Sequence, residues 1–419
     1  MSPREDRSGD AGTAARESSP APRSRSRGRW RRWLPGSTWR WFLLSAAVGC
    51  VAGLGAVLFY YASAALSKLL LVGIAGWEQG GPAREPGVLQ EVVGPAQISL
   101  LALVLLPMIG NLLAGLLKAR FAPDCVTFGT DAAIDGYHRR SKARIRLHVP
   151  FVNMIASVLT LGSGNSGGRE GPIAQIGSSF GQWLGQHFKL SPTERRILLA
   201  AGMAAGIGAI FRAPLAAALF AAEILYREAE FESEVLMPSI MASVIAYCIF
   251  SVVTGDFSPL FLLAEAPLPL ESPIELISYT FLAIVAAGCG LVYTTLYHAS
   301  HRIADERLKR VPLALKPAIG GLATGLVGAA LVALSAIWFA HDPVLQGAVQ
   351  GALLNVLSFG YGLIQGLLDP AYADHHNLLT FETAAPIVLV PLLLVIAFGK
   401  MLTTSLNIGL GGSAGKVGQ

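Results

Sequence analysis

LGSGNSGGREGPIAQIGSSFG, residues Leu161 to Gly181, decides how this chain is read. Its glycines let backbone approach closely, Pro172 suits the first turn of a helix, and Arg169 and Glu170 lie between two apolar segments. An acid at bilayer depth costs about 2.5 to 3.5 kcal/mol on insertion scales, which makes Glu170 a functional candidate. A helix N-terminus carries unpaired N–H groups and a partial positive charge, so it attracts an anion, either a side-chain carboxylate or a free ion. Glu170 would compete for that place. Ionised, it occupies the site as a tethered anion; protonated, it swings away. The plainer alternative is a salt bridge to Arg169 or a carboxylate that only caps the helix start.

The rest of the sequence puts this stretch in a membrane. The chain has 419 residues, 53% of them apolar and 14% charged, with a mean hydropathy of +0.53, whereas soluble domains are about 25% charged. At about 20 apolar residues per crossing, there is room for around a dozen membrane helices. Apolar stretches recur at 41–72, 96–119, 147–162, 172–188, 197–226, 235–254, 273–299, 313–339, 344–368 and 386–408. Several are too short to cross about 30 Å of hydrocarbon. Gly and Pro clusters interrupt them at Gly162 to Pro172, Gly206 to Pro214 and Gly409 to Gly415. Broken backbone at that depth is tolerated where protein or a polar cavity satisfies it, and transport proteins place substrates there. A two-fold inverted repeat would not show to the eye.

The formal charge of +5 sits in one tail: residues 1 to 40 hold ten Arg against four acids, and the remainder is 22 minus 23, or −1. A nucleic-acid partner therefore loses its support. The Ser-, Pro- and Arg-rich tail is expected to be disordered, and Arg29, Arg31, Arg32 and Arg40 before the first apolar run place the N-terminus in the cytoplasm. The basic run His138 to Arg146 falls on the same side by the same rule, and the acidic stretch Arg227 to Glu234 reads as a solvated helix end. Cys50, Cys125, Cys248 and Cys289 lack ligand spacing and are expected as inert core residues, with no disulfide framework and no zinc site.

Other candidates are weaker. Gly162 to Gly167 fits the dinucleotide pattern, but the membrane context defeats it, and Gly415-Lys416 fails as a P-loop because Leu410 and Val417 stand where Gly and Ser or Thr are needed. The pair His375-His376 lacks a matching cluster for a metal. In FGTDAAIDGYH, Phe128 to His138, Thr130 offers a hydroxyl beside turn N–H groups, or serves only as a helix N-cap. The stretch AAGMAAGIGAIFRAPLAAALFAAE has small residues suited to close helix packing and a break at Phe211-Arg212-Ala213-Pro214. A membrane-embedded enzyme would need a nucleophile and base or a metal constellation, and no such arrangement stands in the sequence.

In this order, GTDAAIDGYH, GSGNSGGREGPIAQIG and GIGAIFRAPLAAALFAAE resemble the CLC family of chloride channels and chloride/proton exchangers, from about Trp39 to Gly415. The resemblance implies an all-helical membrane fold of inverted halves with broken and short helices, assembled as a homodimer with one pore per subunit. Glu170 matches the gating glutamate; Gly168, Arg169, Gly171 and Pro172 match its surrounding motif, with Gly129, Gly164, Phe211 and Pro214 as further motif positions. Thr130 falls where the family has the serine that contacts the central ion. Glu223 is the candidate proton-path residue, and Ile224 stands where the exchangers often carry an inner proton-relay glutamate, which favours passive conduction or another internal proton route. The segment KMLTTSLNIGLGGSAG, from Lys400, resembles the start of the third ion-binding segment, after which Lys416-Val417-Gly418-Gln419 departs from the family's Phe-x-Pro.

These readings set the expectations. Residues 1–37 form a basic cytoplasmic tail, 38–415 a CLC-type transmembrane domain lacking the family's last helices, and 416–419 a divergent end. The chain is a multi-pass cell-membrane protein, not an enzyme, without metal or cofactor. It passes chloride as a channel gated by Glu170, with a chloride/proton antiporter or a non-conducting truncated homologue as the alternatives.

Overall fold

The computed structural model describes residues 37–82, 97–122, 133–134, 148–224, 233–261, 272–339, 341–369 and 386–413. Expectations for the tail, for Gly129 and Thr130, for the basic run at 138–146, for most of the acidic stretch, for Cys125, for His375-His376 and for the residues after Ser413 lie outside them.

Among the described residues there are twelve α-helices and no strand. They are α1 (Ser37–Ser67, continued by a π-turn over Lys68–Val72), α2 (Leu100–Phe121), α3 (His148–Gly162), α4 (Glu170–His187), α5 (Pro192–Ile210), α6 (Pro214–Ile224), α7 (Ser233–Thr254), α8 (Glu275–Glu306), α9 (Lys316–Trp338), α10 (Pro343–Leu354), α11 (Tyr361–Leu368) and α12 (Pro386–Gly409). Six are long and apolar enough to cross a membrane: α1, α2, α7, α8, α9 and α12. At about 1.5 Å per residue, the 15 residues of α3 reach about 22 Å, short of the hydrocarbon width. α3 therefore ends inside the protein, as the Gly-rich sequence after it predicts.

Local chemistry explains the helix starts that matter. Ser191 and Glu194 form a reciprocal capping box at α5, with Pro192 in its first turn, and Arg40 of α1 pairs with the same Glu194. Ser99 caps α2 through the Ala102 N–H at 3.3 Å. α5, buried without interruption from Ile197 to Ile210, lies between α4 and α7. Gly177 of α4 and Gly202 of α5 meet backbone to backbone, where a Cβ on either would collide with the other's carbonyl. Close small-residue approach of this kind holds helices together when lipid offers no hydrophobic gain.

Two features depart from the sequence reading. The single apolar stretch at 344–368 is two helices, α10 and α11, parted at Asn355 to Gly360, where Ser358 adopts a left-handed φ of 49°. Cys50, Cys248 and Cys289 are free, as expected, but all three are exposed on helix surfaces rather than in the core. In a membrane protein the outer face is as apolar as the interior, so hydrophobicity does not separate the two. The break between α5 and α6 lies at Phe211 to Ala213, inside the stretch the sequence marks. Arg212 there takes a φ of 53°, and its guanidinium donates to Asp256 Oδ2 at 2.6 Å and Ser258 O at 3.3 Å, past the end of α7.

Candidate functional site

α3 and α12 end in the same turn. After α3, the Gly164 N–H donates to Leu161 O at 3.1 Å and the Asn165 N–H to Thr160 O at 3.3 Å; after α12, the Gly411 N–H donates to Ile408 O at 3.0 Å and the Gly412 N–H to Asn407 O at 2.8 Å. Gly164 and Gly411 have φ of 95° and 98°, a region open to glycine. Each turn then reaches the opposite helix: Ser166 Oγ lies 2.7 Å from Thr404 Oγ1, and Ser413 Oγ 3.0 Å from Ser157 Oγ. Gly164 corresponds to Gly411, Ser166 to Ser413 and Ser157 to Thr404 at one constant offset along the chain, an inverted repeat of the two half-elements.

Three buried amides lock the turns together. Asn111 Nδ2 on α2 lies within hydrogen-bond distance of Asn407 Oδ1 at 2.7 Å, Pro317 O at 2.9 Å and Asn165 Oδ1 at 3.1 Å. Asn165 Nδ2 donates to Pro107 O at 2.8 Å and Ser163 Oγ at 3.1 Å, and Asn407 Nδ2 to Ser166 O at 2.7 Å. The Asn407 bond satisfies a loop carbonyl, Ser166 O, that lies past the end of α3.

The loop leading to Glu170 also pairs with the break between α10 and α11. The Ser358 N–H donates to Gly164 O at 3.0 Å and the Gly167 N–H to Ser358 O at 3.3 Å. Ser358 Oγ donates to Gln79 Oε1 at 2.6 Å. From α12, Lys400 Nζ donates to Ser358 O at 2.5 Å and Leu357 O at 3.2 Å. The guanidinium of the buried Arg169 lies over the rings of Phe359, Tyr361 and Tyr60, at 4.3, 5.0 and 5.7 Å from their centroids. Cation–π contact of this kind is worth about 2 kcal/mol or more when desolvated.

Glu170 opens α4. Its carboxylate lies over Gly168, where a Cβ would coincide with it, and Oε2 is buried with no hydrogen-bond partner among the described residues. Its own main-chain N–H and the charges of Arg169 and Lys400 are the groups that act on it. The arm thus rests at a helix start among donors and cations, with one oxygen unpaired, an arrangement suited to an anion that comes and goes rather than to a fixed ion pair.

The structure brings Gly164, Gly168, Arg169, Glu170, Gly171 and Pro172 together in this loop and helix start. Phe211 and Pro214 flank the α5–α6 break, and Glu223 is exposed near the end of α6. The residues that sequence reasoning did not single out are Lys400, Ser358, Gln79, Tyr361 and the three asparagines. The signal for Lys400 was present, a lysine inside the apolar stretch 386–408.

A family model described as voltage gated chloride channel matches residues 109–418. A chloride channel protein, CLC-e, of Arabidopsis thaliana is 31% identical over 291 residues, which are 67% of this chain and 38% of that protein. An H(+)/Cl(-) exchange transporter, ClcA, of Yersinia pestis bv. Antiqua (strain Angola) is 28% identical over 289 residues, 64% of this chain and 58% of that protein. The chain thus spans well under two thirds of either relative. The crystal structure of a CLC-type fluoride/proton antiporter superposes with a TM-score of 0.57 at 20% identity, covering 89% of each chain, and shares the fold. With the family model matched over well more than half of its length, the chain belongs to the voltage gated chloride channel family.

Proposed function

We propose that this multi-pass membrane protein transports chloride and that the Glu170 carboxylate is its gate, competing with the ion for the start of α4. One observation carries the reading: a carboxylate at the N-terminus of α4, just past the end of the short helix α3, with one oxygen buried and unpaired among the described residues. Dipoles and hydroxyls bind an anion weakly enough to release it. Ionised, the arm fills the site; protonated, it loses its attraction to the N–H groups and leaves. Thr130 supplies a hydroxyl at the central ion, Gly168 and Gly171 supply close backbone, and Arg169 holds the loop through its aromatic partners. The working unit is a homodimer in the cell membrane with a cytoplasmic N-terminus.

Flux from chloride-loaded liposomes, with and without a pH gradient, tests the reading. Chloride-driven proton pumping assigns exchange; chloride flux without it assigns a channel; no flux favours a non-conducting homologue. Glu170→Gln should abolish both pH gating and any proton coupling, and an unchanged pH dependence refutes the gate. Exchange has a specific difficulty in this chain. Ile224 cannot carry a proton, and Glu223 beside it is exposed rather than aimed at the site, so any coupled proton needs another way in.

A further inference from the structure

α3 supplies such a way. Asn153, Ser157 and Thr160 recur at helical spacing on one face of the helix, and they are 2%, 3% and 0% exposed. Both amide atoms of Asn153 and the Thr160 hydroxyl are buried with no hydrogen-bond partner among the described residues, while Ser157 Oγ meets Ser413 Oγ at 3.0 Å. From Asn153 to Thr160 the stripe runs about 10 Å, roughly a third of the hydrocarbon width. Past it, polar groups line the loop that leads from α3 to Glu170: Ser163 Oγ donates to Thr160 O at 3.0 Å, Asn165 Nδ2 to Ser163 Oγ, and Ser166 pairs with Thr404.

The inverted repeat sharpens the chemistry. At the same offset that relates Ser157 to Thr404, Asn153 corresponds to Lys400. One half places an ammonium four residues before its hydroxyl pair, within electrostatic range of the carboxylate arm, and the other half places a neutral amide there. A free anion at that amide would gain one donor and face an unpaired carbonyl oxygen. Water uses both, and buried polar groups with two to four partners to offer are where buried water is held.

We propose that the Asn153–Ser157–Thr160 face of α3, closed by Ser413, binds a file of water molecules that delivers protons to Glu170 from the side of the membrane where α3 begins. A proton taken from bulk water passes along the file by exchange of O–H bonds and ends on a Glu170 carboxylate oxygen, leaving a neutral acid; no other bond changes. This deepens the proposed function and rests on Glu170 being the protonatable arm.

Hydration is tested without transport. In a background with the four native cysteines replaced by alanine, Thr160→Cys and Asn153→Cys should react with a small water-soluble methanethiosulfonate at least about tenfold faster than Met154→Cys, a buried neighbour packed in the Leu44–Phe59 cluster. Equal rates overturn the proposal. Proton delivery is tested with Thr160→Val, which keeps shape and removes the hydroxyl. Proton flux driven by a chloride gradient should fall about tenfold while chloride flux stays within about twofold of wild type. Proton flux lost in Glu170→Gln but kept in Thr160→Val overturns the water file and leaves the gate standing. Proton flux kept in Glu170→Gln overturns the gate reading itself. Chloride flux without proton flux in the wild-type chain also overturns the file.

Discussion

Gly168→Ala tests the gate from outside the acid itself. A methyl group at position 168 would occupy the place of the Glu170 carboxylate. Of the two, the side-chain end moves more cheaply than the backbone, so the arm is pushed off the helix start with its charge intact. Holding a side chain off its rotamer costs about 0.5 to 1.5 kcal/mol, and the lost attraction to a helix N-terminus adds about 1 to 2 kcal/mol in a partly buried place. Together about 1.5 to 3.5 kcal/mol of preference for the closed position disappears, a shift of about 10- to 300-fold in the closed-to-open ratio.

Chloride efflux from liposomes at neutral pH reads this directly. The alanine variant should pass chloride at a rate approaching Glu170→Gln and show a flattened pH profile, although its acid is still present. Combining Gly168→Ala with Glu170→Gln should add little, because both act on one arm. Wild-type rates and an unchanged pH profile in Gly168→Ala, from protein that folds and reconstitutes normally, would refute the competition between carboxylate and ion at the start of α4.

Two further outcomes follow from charged groups nearby. Lys400→Met removes a charge that acts on the arm from α12, along with the bonds to Leu357 O and Ser358 O; loss of about 1.4 kcal/mol of charge attraction is tenfold, so chloride flux at neutral pH should rise about tenfold, while Lys400→Arg keeps the charge and should stay near wild type. At the α5–α6 break, burial pushes the Asp256 carboxyl up, but the Ser258 N–H and hydroxyl and the Arg212 guanidinium outweigh it and hold the carboxyl down, from 3.8 to about 2. The clasp therefore contributes fully above the unfolded value and is lost as pH falls through about 2. Asp256→Asn should lower stability in detergent by about 1 kcal/mol at neutral pH, solvent screening taking part of the full linkage value, and the difference from wild type should vanish in strong acid. A difference that persists there would refute it.

Breaks written in Gly and Pro were legible in the sequence. Gly164 and Pro172 bracket the turn and the helix start where they were expected, and Pro214 opens α6. The break between α10 and α11 was not legible, because its cause is tertiary: Ser358 holds a left-handed conformation through bonds to Gly164, Gly167, Gln79 and Lys400, four residues remote in sequence. Arg169 was read beside Glu170 as its salt-bridge partner in the plainer alternative, and its guanidinium lies over three rings from α1 and from the α10–α11 break and the start of α11. Sequence adjacency fixed which residue was present and left open what it faced.

The asymmetry between the two halves bears on where the proposed gate sits. The repeated turn gives both halves a positive-φ glycine, a serine crossing to the opposite helix and a hydroxyl to receive it. A scaffold that symmetric would treat its two mouths alike. The difference lies one helical turn before each hydroxyl pair, where α12 carries Lys400 and α3 carries Asn153. An ammonium draws a carboxylate arm toward its own half and raises the cost of leaving, whereas a neutral amide gives an arm no such reason to settle and instead takes water. Moving the charge should therefore move the preference: Asn153→Lys together with Lys400→Asn, placed in a chain that still transports, should loosen the arm at the start of α4. Chloride flux at neutral pH should then rise as it does in Lys400→Met. Flux held at the wild-type level in the exchanged variant would mean that the arm is placed by helix geometry alone and that the lysine only ties down Ser358.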